Sequence, residues 1–243
     1  MAKIKKLKGK TVAIVGLGRS WFDYCLAKAH GSHFDEVWVI NAVSNVIYHD
    51  RVFMMDPASR FLDTDDAGGQ TDSMSSVLKK HKGPIYTCEL DKRCPGLVLY
   101  PIDEILKSTN CHYLNNTVAY AIAFALHNEV AVLKLFGLDF SYKTNLHFAE
   151  SGRACVEFWL SKAIAEGMKV EVASTSGLLD TNVHAAQKLY GYHRLKDPLL
   201  VFEDEEGLKT VKLSEVEVTK IEQEPILIGR DDPHLKPPEA KKW

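Results

Sequence analysis

A glycine-rich turn near the N-terminus is the first feature whose residue types and spacing could do chemistry. The apolar run at 11–15 (TVAIV) ends directly in the sequence GLGRS at 16–20. In a strand–turn–helix unit, backbone N–H groups and the positive end of the helix dipole point at one spot, which favours an anion such as a phosphate. We expect four residues of this turn to contact the ligand: Gly16, Gly18, Arg19 and Ser20.

The same turn argues against two common nucleotide sites. Trp21 stands where a dinucleotide-binding fingerprint has its third glycine, and no Gly-Lys-Ser/Thr follows to make a Walker loop. Both of those phosphate-binding types need these residues for close approach of the backbone or for a lysine contact. The sequence therefore favours another kind of phosphate-binding turn, or a tight turn without a ligand.

Polar residues also follow three other apolar runs. Asn41 follows 36–40 (EVWVI), Asp56 follows 51–55 (RVFMM), and Asp139 comes three residues after the end of 130–136 (VAVLKLF). If these runs are parallel strands, their carboxyl ends share one edge with the glycine turn, where α/β proteins bind ligands. We expect all three side chains to contact the ligand, although Asn41 as a turn-former and Asp56 as a helix cap are open alternatives.

Two further groups lie in the second half of the chain. Asn116 and Thr117 open an alanine-rich helix, where they either meet the ligand or act as plain N-caps. Tyr142, His147 and Arg153 fall within a dozen residues, in what we predict to be an active-site loop. An imidazole titrates near neutrality, so His147 is the candidate general base. The phenol of Tyr142 and the guanidinium of Arg153 can donate hydrogen bonds to a departing phosphate.

The elements that would position these residues alternate along the chain. Short apolar runs at 11–15, 36–40, 51–55, 84–87, 97–100, 130–136 and 169–173 are separated by helical patterns, among them 116–126 and 154–166. This alternation predicts an α/β, Rossmann-like fold: a mostly parallel sheet with helices on both faces. Residues 1–194 form this domain, 195–230 a small β appendage and 231–243 a disordered tail in this interpretation.

Composition narrows the classes of function. The formal charge of −2 gives no broad basic field for nucleic-acid binding, and no apolar run approaches the roughly 20 residues of a membrane span. The lysine-rich start lacks the apolar stretch of a secretory leader, and the five scattered cysteines suggest neither disulfides nor zinc. We expect a cytoplasmic protein that binds a nucleotide-containing small molecule. The sequence does not decide whether the protein forms an oligomer. The D-x-D at 63–65 is too common in polar loops to indicate a metal.

Read together, these motifs resemble a known superfamily over about residues 9–180. The glycine turn with Ser20, Asn41, Asp56, the N-N-T-x-A-x-A helix start and the strand ending in GLDFSY are similar to the bacterial sialyltransferases of glycosyltransferase family 42. They are also similar to the motility-accessory flagellin glycosyltransferases and to archaeal hydroxymethylpterin diphosphokinase. The resemblance implies nucleotide contacts from the following residues: Gly16, Gly18, Ser20, Asn41, Asn116 and Thr117.

The resemblance also implies a chemistry. Tyr142 matches the phosphate-stabilising tyrosine and His147 the general base of an inverting, metal-independent transfer. The leading expectation is therefore a glycosyltransferase that moves a sugar from a CMP- or UDP-linked donor to an unidentified hydroxyl acceptor, with no required cofactor. A magnesium-dependent pyrophosphokinase using Asp56 and Asp139 is the second alternative. A nucleotide-binding protein without catalysis is the third.

Overall fold

Seven of the nine strands in the described part of the chain form one parallel sheet. The computed structural model describes residues 7–141, 145–191, 199–204, 207–212 and 215. The sheet strands are β1 Thr11–Val15, β2 Glu36–Ile40, β3 Arg51–Phe53, β4 Ile85–Thr87, β5 Leu97–Leu99, β6 Val132–Phe136 and β7 Lys169–Val172. Their order is β5-β4-β3-β2-β1-β6-β7, and every neighbouring pair is parallel. The predicted α/β, Rossmann-like fold is confirmed.

The strand order reverses beside β1. The chain runs outward from β1 through β2 to β5, then returns to place β6 on the other side of β1. In register, Val15 lies opposite Val39 of β2 and opposite Phe136 of β6. The three loops that leave β1, β2 and β6 therefore start at one level, on the edge where open α/β sheets form ligand crevices.

Alternate residues of β1 face two separate cores. Val12 and Ile14 belong to one apolar cluster, which includes residues of helices at 102–109, 117–127 and 146–165. Ala13 and Val15 belong to the other cluster, which includes residues of helices at 21–29 and 71–80. Because both sheet faces are buried, the strands read as continuous apolar runs, and this is why the sequence pattern located them.

The helices cover both faces. They are α1 Trp21–Ala29, α2 Ser59–Leu62, α3 Thr71–Lys80, α4 Ile102–Thr109, α5 Thr117–His127 and α6 Leu146–Ala165, with short 3-10 helices at Asn41–Asn45, Gly68–Gln70, Leu178–Asp180 and Ala185–Lys188. The predicted start of α6 at 154 is wrong by eight residues, because the Asn145 side chain accepts a hydrogen bond from the Phe148 amide and caps the helix there. Residues 146–153 are therefore helix and not loop.

The chain divides into two compact units, 1–185 and 186–243. In the second unit, β8 Leu199–Asp204 and β9 Gly207–Lys212 form an antiparallel hairpin, within the region where the sequence predicts a β appendage. The runs at 216–221 and 226–228 and the predicted disordered tail lie outside the described residues. Among the helices that are described, none is long and apolar enough to cross a bilayer.

Candidate functional site

A cleft of about 480 Å³ opens at the carboxyl edge of the sheet, where the strand order reverses. Its lining comes from the glycine turn after β1, the end of β2, the start of α5, the loop after β6, and Gln70 ahead of α3. Five of the residues that the sequence singled out line it: Gly16, Gly18, Arg19, Asn41 and Asp139. The glycine turn, Asn41 and the start of the loop after β6 therefore share one cleft, whereas Asn116, Thr117 and His147 do not line it.

The two turn glycines are required by contact between loops. A Cβ built on Gly16 would lie 2.5 Å from the Gly137 carbonyl oxygen, and one on Gly18 would lie 2.5 Å from Asp139 Oδ2. Neither glycine has a positive φ, whereas Gly137 has φ +66°. The Gly16 amide also donates to the Phe136 carbonyl and the Gly18 amide to the Gly137 carbonyl. Close packing against the loop after β6 thus explains both glycines without a ligand.

Hydrogen bonds between Ser20 and Asp139 also connect the turn after β1 with the loop after β6. Ser20 is fully buried, its amide and Oγ donate to the two carboxylate oxygens of Asp139 at 2.8 and 2.5 Å, and its Oγ accepts from the Gly137 amide at 2.9 Å. Ser20 is the N-cap residue of α1, but its side chain makes no capping hydrogen bond, since its hydroxyl is used in this contact. A protein carboxylate therefore already occupies part of the anion-binding position at the start of α1.

Hydrogen-bond donors nevertheless remain on the outer part of the turn. The backbone amides of Leu17 and Arg19 have no acceptor among the described residues, and both residues line the cleft. The Arg19 side chain is exposed and has no ion pair within the described part of the chain. Two amides and a guanidinium next to one another suit a phosphate, displaced outward from the position that Asp139 fills.

Two amide side chains in the cleft lining have a buried oxygen that no described residue contacts by a hydrogen bond: Asn41 Oδ1 and Gln70 Oε1. Asn41 directly follows β2 and has a positive φ of 49°, a conformation that asparagine tolerates better than most residues. Gln70 ends a 3-10 helix immediately before α3. Sequence reasoning missed Gln70, since it lies in a polar stretch with no distinguishing motif.

The starts of α5 and α6 meet at the far side of the cleft. Asn116 Oδ1 accepts from the Ala119 amide, and its Nδ2 donates to Asn115 Oδ1 and to the Gly152 carbonyl. Phe140 lines the cleft, and its ring packs closely against Gly152. A Cβ added to Gly152 would lie only 2.9 Å from Phe140 Cε1. Asn116 therefore acts as an N-cap, the simpler of its two predicted roles. Thr117 is half-buried beside it, one residue before the cleft-lining Val118.

Of the three predicted catalytic residues, His147 and Arg153 do not line the cleft. Tyr142 lies outside the described residues. His147 is exposed in the first turn of α6, six residues after Ser141 of the cleft lining. Arg153 donates to Glu157 at 2.8 Å and to Asp180 at 2.7 Å, and these two acidic partners raise its pKa. A phosphate would have to compete with both carboxylates for this guanidinium.

The carboxylates named for a magnesium site do not converge. Asp56 pairs with Arg60 at 2.5 Å and does not line the cleft, whereas both Asp139 oxygens accept from Ser20. Across the described ranges, no three His, Cys, Asp or Glu side chains group as metal ligands. Of the two carboxylates named for magnesium, Asp139 lines the cleft and Asp56 does not.

The wall that carries Asn41 and Gln70 is held by contacts between the 41–53 segment and α3. Asn45 Nδ2 donates to Ser73 Oγ at 3.3 Å, and His49 Nε2 lies 2.9 Å from His81 Nε2. His49 Nδ1 faces the Ile47 carbonyl, and His81 Nδ1 accepts from the Gly83 amide. These contacts fit only if both rings are neutral: His49 carries its proton on Nδ1, and His81 donates from Nε2.

This histidine pair predicts loss of stability in acid. Burial, and then the proximity of His49, lowers the pKa of His81 below 6.5. The unfolded state then binds a proton more readily than the folded state. The contribution of neutral His81 to the free energy of unfolding is therefore fully present above pH 6.5 and is lost as the pH falls below that value. Urea unfolding between pH 8 and pH 5 should show this loss, and His81→Gln should reduce it. The exposed His33→Gln is the control, and an unchanged pH slope in His81→Gln would contradict the assignment.

Comparison with known proteins adds no relative: no protein-family model, curated protein or solved structure matches the chain. The likeness to sialyltransferases and their relatives accordingly stays a prediction from the motifs.

Proposed function

We propose that the protein is an enzyme that transfers a sugar from a nucleotide-sugar donor to a hydroxyl acceptor, with the donor bound in the cleft at the edge of the sheet. One observation carries the proposal. Within the described part of the chain, the cleft combines donors that have no acceptor, at the Leu17 and Arg19 amides and the Arg19 side chain, with acceptors that have no donor, at Asn41 and Gln70. Such a lining matches a ligand with an anionic part and a neutral, hydroxyl- or amine-bearing part, as in a nucleotide sugar.

The proposed chemistry is a single displacement. The acceptor oxygen forms a bond to the anomeric carbon, while the bond from that carbon to the phosphate oxygen breaks and the nucleotide leaves with the electron pair. His147 takes the acceptor's proton. This imidazole is exposed in the first turn of α6, so an acceptor can reach it from solvent. Arg19 and the two turn amides stabilise the leaving phosphate.

The first test is turnover. Purified protein incubated with CMP- and UDP-sugars should release nucleotide slowly, and His147→Ala should lower that rate by about 100-fold or more, as expected for loss of a general base. His33→Ala, whose side chain is 84 % exposed, is the matched control and should turn over normally. Undiminished turnover in His147→Ala would remove this histidine from the mechanism.

The same experiment separates the alternatives. Thermal shift with nucleotides reports binding, because a ligand specific for the folded state raises the melting temperature. Stabilisation by nucleotides with no release of product from any sugar donor would favour a binding protein without catalysis. Activity that needs magnesium and ATP would instead favour the pyrophosphokinase alternative.

A further inference from the structure

We propose that Gln70 and Asn41 form an acceptor pair that binds an uncharged hydrogen-bond donor of the ligand, either the hydroxyls of a sugar or the amino group of a base. The inference deepens the proposed function, since it assumes that the ligand occupies the same cleft. It assigns to Gln70 a role that no motif in the sequence indicates. It also orients the ligand, with its neutral part at this wall and its phosphate at Arg19.

The first step is the unusual state of the two amides. Buried polar atoms in folded proteins nearly always have a hydrogen-bond partner, and a buried acceptor without one costs free energy. Among the described residues, Asn41 Oδ1 and Gln70 Oε1 are both buried and have no partner, and both residues line one cleft. Each oxygen can therefore accept a hydrogen bond from a ligand in that cleft.

The second step is that the amides are able to turn. Neither side chain makes a hydrogen bond to any described residue, so rotating either oxygen toward the cleft breaks no contact of this kind. The backbone around them is held independently, by the Asn45–Ser73 hydrogen bond and the His49–His81 contact. A ligand donor in the cleft therefore gains a hydrogen bond from each amide while the wall itself remains in place.

The third step is the charge of the lining. Both amide oxygens carry partial negative charge, whereas the cation of the lining, Arg19, belongs to the turn after β1. A phosphate placed between the two amide oxygens would be repelled, whereas hydroxyl and amino groups would be attracted. The cleft thus has an acceptor side at Asn41 and Gln70 and a donor side at Leu17 and Arg19.

The test uses ligands without phosphate, so that it does not depend on sugar transfer. Calorimetry of the whole chain with cytidine, uridine and 2′,3′-dideoxycytidine distinguishes the two donor types. A base amine is indicated if cytidine and its dideoxy form bind and uridine does not. Sugar hydroxyls are indicated if both ribonucleosides bind and the dideoxy form does not. Failure of all three to bind would overturn the proposal, whatever the outcome with nucleotide sugars.

Variants then assign the binding to the acceptor pair. Gln70→Met keeps the side-chain volume and removes the acceptor, so it should weaken nucleoside binding at least tenfold, as expected for loss of a buried hydrogen bond. Gln70→Glu keeps the acceptor and should retain binding. Asn41→Gly removes the second amide and accommodates the positive φ. Pyrophosphate, which tests the donor side, should bind Gln70→Met as it binds the unchanged protein.

Stability supplies an independent readout. Because Gln70 Oε1 has no partner, Gln70→Met should leave the melting temperature of the ligand-free protein unchanged or raise it. Thr71→Val is the matched control: Thr71 Oγ1 is also buried and unpartnered, but the residue does not line the cleft, so nucleoside binding should persist. Equal nucleoside affinity in Gln70→Met, parallel loss of pyrophosphate binding, or a clearly lower melting temperature would each contradict the proposal.

Discussion

Gly16→Ala is expected to lower the free energy of unfolding by about 3 kcal/mol, at the upper end of what overpacking usually costs. The added methyl group would lie 2.5 Å from the Gly137 carbonyl oxygen and from Leu138 Cδ2. The carbonyl is backbone and belongs to the loop after β6, so it cannot move without displacing that loop. Urea unfolding followed by circular dichroism measures the loss directly.

Gly69→Ala is the control for this substitution. A Cβ at Gly69 meets no heavy atom within 4 Å, and this residue has no positive φ. We expect the free energy of unfolding to change by less than about 0.5 kcal/mol, as at most surface positions. If Gly16→Ala unfolds at the same urea concentration as Gly69→Ala, the packing explanation for the turn glycines is wrong.

Asp139→Asn is expected to lower the free energy of unfolding by about 1–3 kcal/mol, the cost of leaving a buried donor without its acceptor. Both carboxylate oxygens accept from Ser20, whose hydroxyl in turn accepts from the Gly137 amide. An amide at position 139 turns one acceptor into a donor that faces another donor. Ser20→Ala should be comparably destabilising, and the double variant should cost less than the sum of the two, because the residues share one network.

An exposed carboxylate provides the comparison. Asp63 pairs with Arg93 at the surface, and Asp63→Asn should cost less than about 1 kcal/mol. A different result would change the interpretation of Asp139. If Asp139→Asn is as stable as the unchanged protein but inactive, the carboxylate acts on the ligand or on a cation, and the pyrophosphokinase alternative gains support.

Most of the sheet was predictable because burial on both faces leaves a simple pattern. Strands such as β1 and β2 are uninterrupted apolar runs, and the polar residues that follow them lie at one edge of the sheet. Parallel pairing sets Val15 opposite Val39, so Asn41 comes level with the glycine turn. Position along the strands was therefore enough to predict a shared crevice.

Other parts of the site depend on contacts that no local pattern records. Ser20 and Asp139 are 119 residues apart, so their hydrogen bonds could not be inferred from spacing. The start of α6 was missed because its first turns hold exposed Leu146 and Phe148 and a glycine at 152, which obscure the helical period. Gln70 went unnoticed because burial, not residue type, sets it apart.

The contact between the loops after β1 and β6 also bears on how the molecule is made. β1 is central in the sheet, yet its partner β6 begins only at Val132. During synthesis the first strands and α1 emerge well before the residues that complete their environment, and such long-range pairing is slow to form. The nascent chain therefore exposes one side of β1, and the cleft at the sheet edge first exists when the second half of the sequence has left the ribosome.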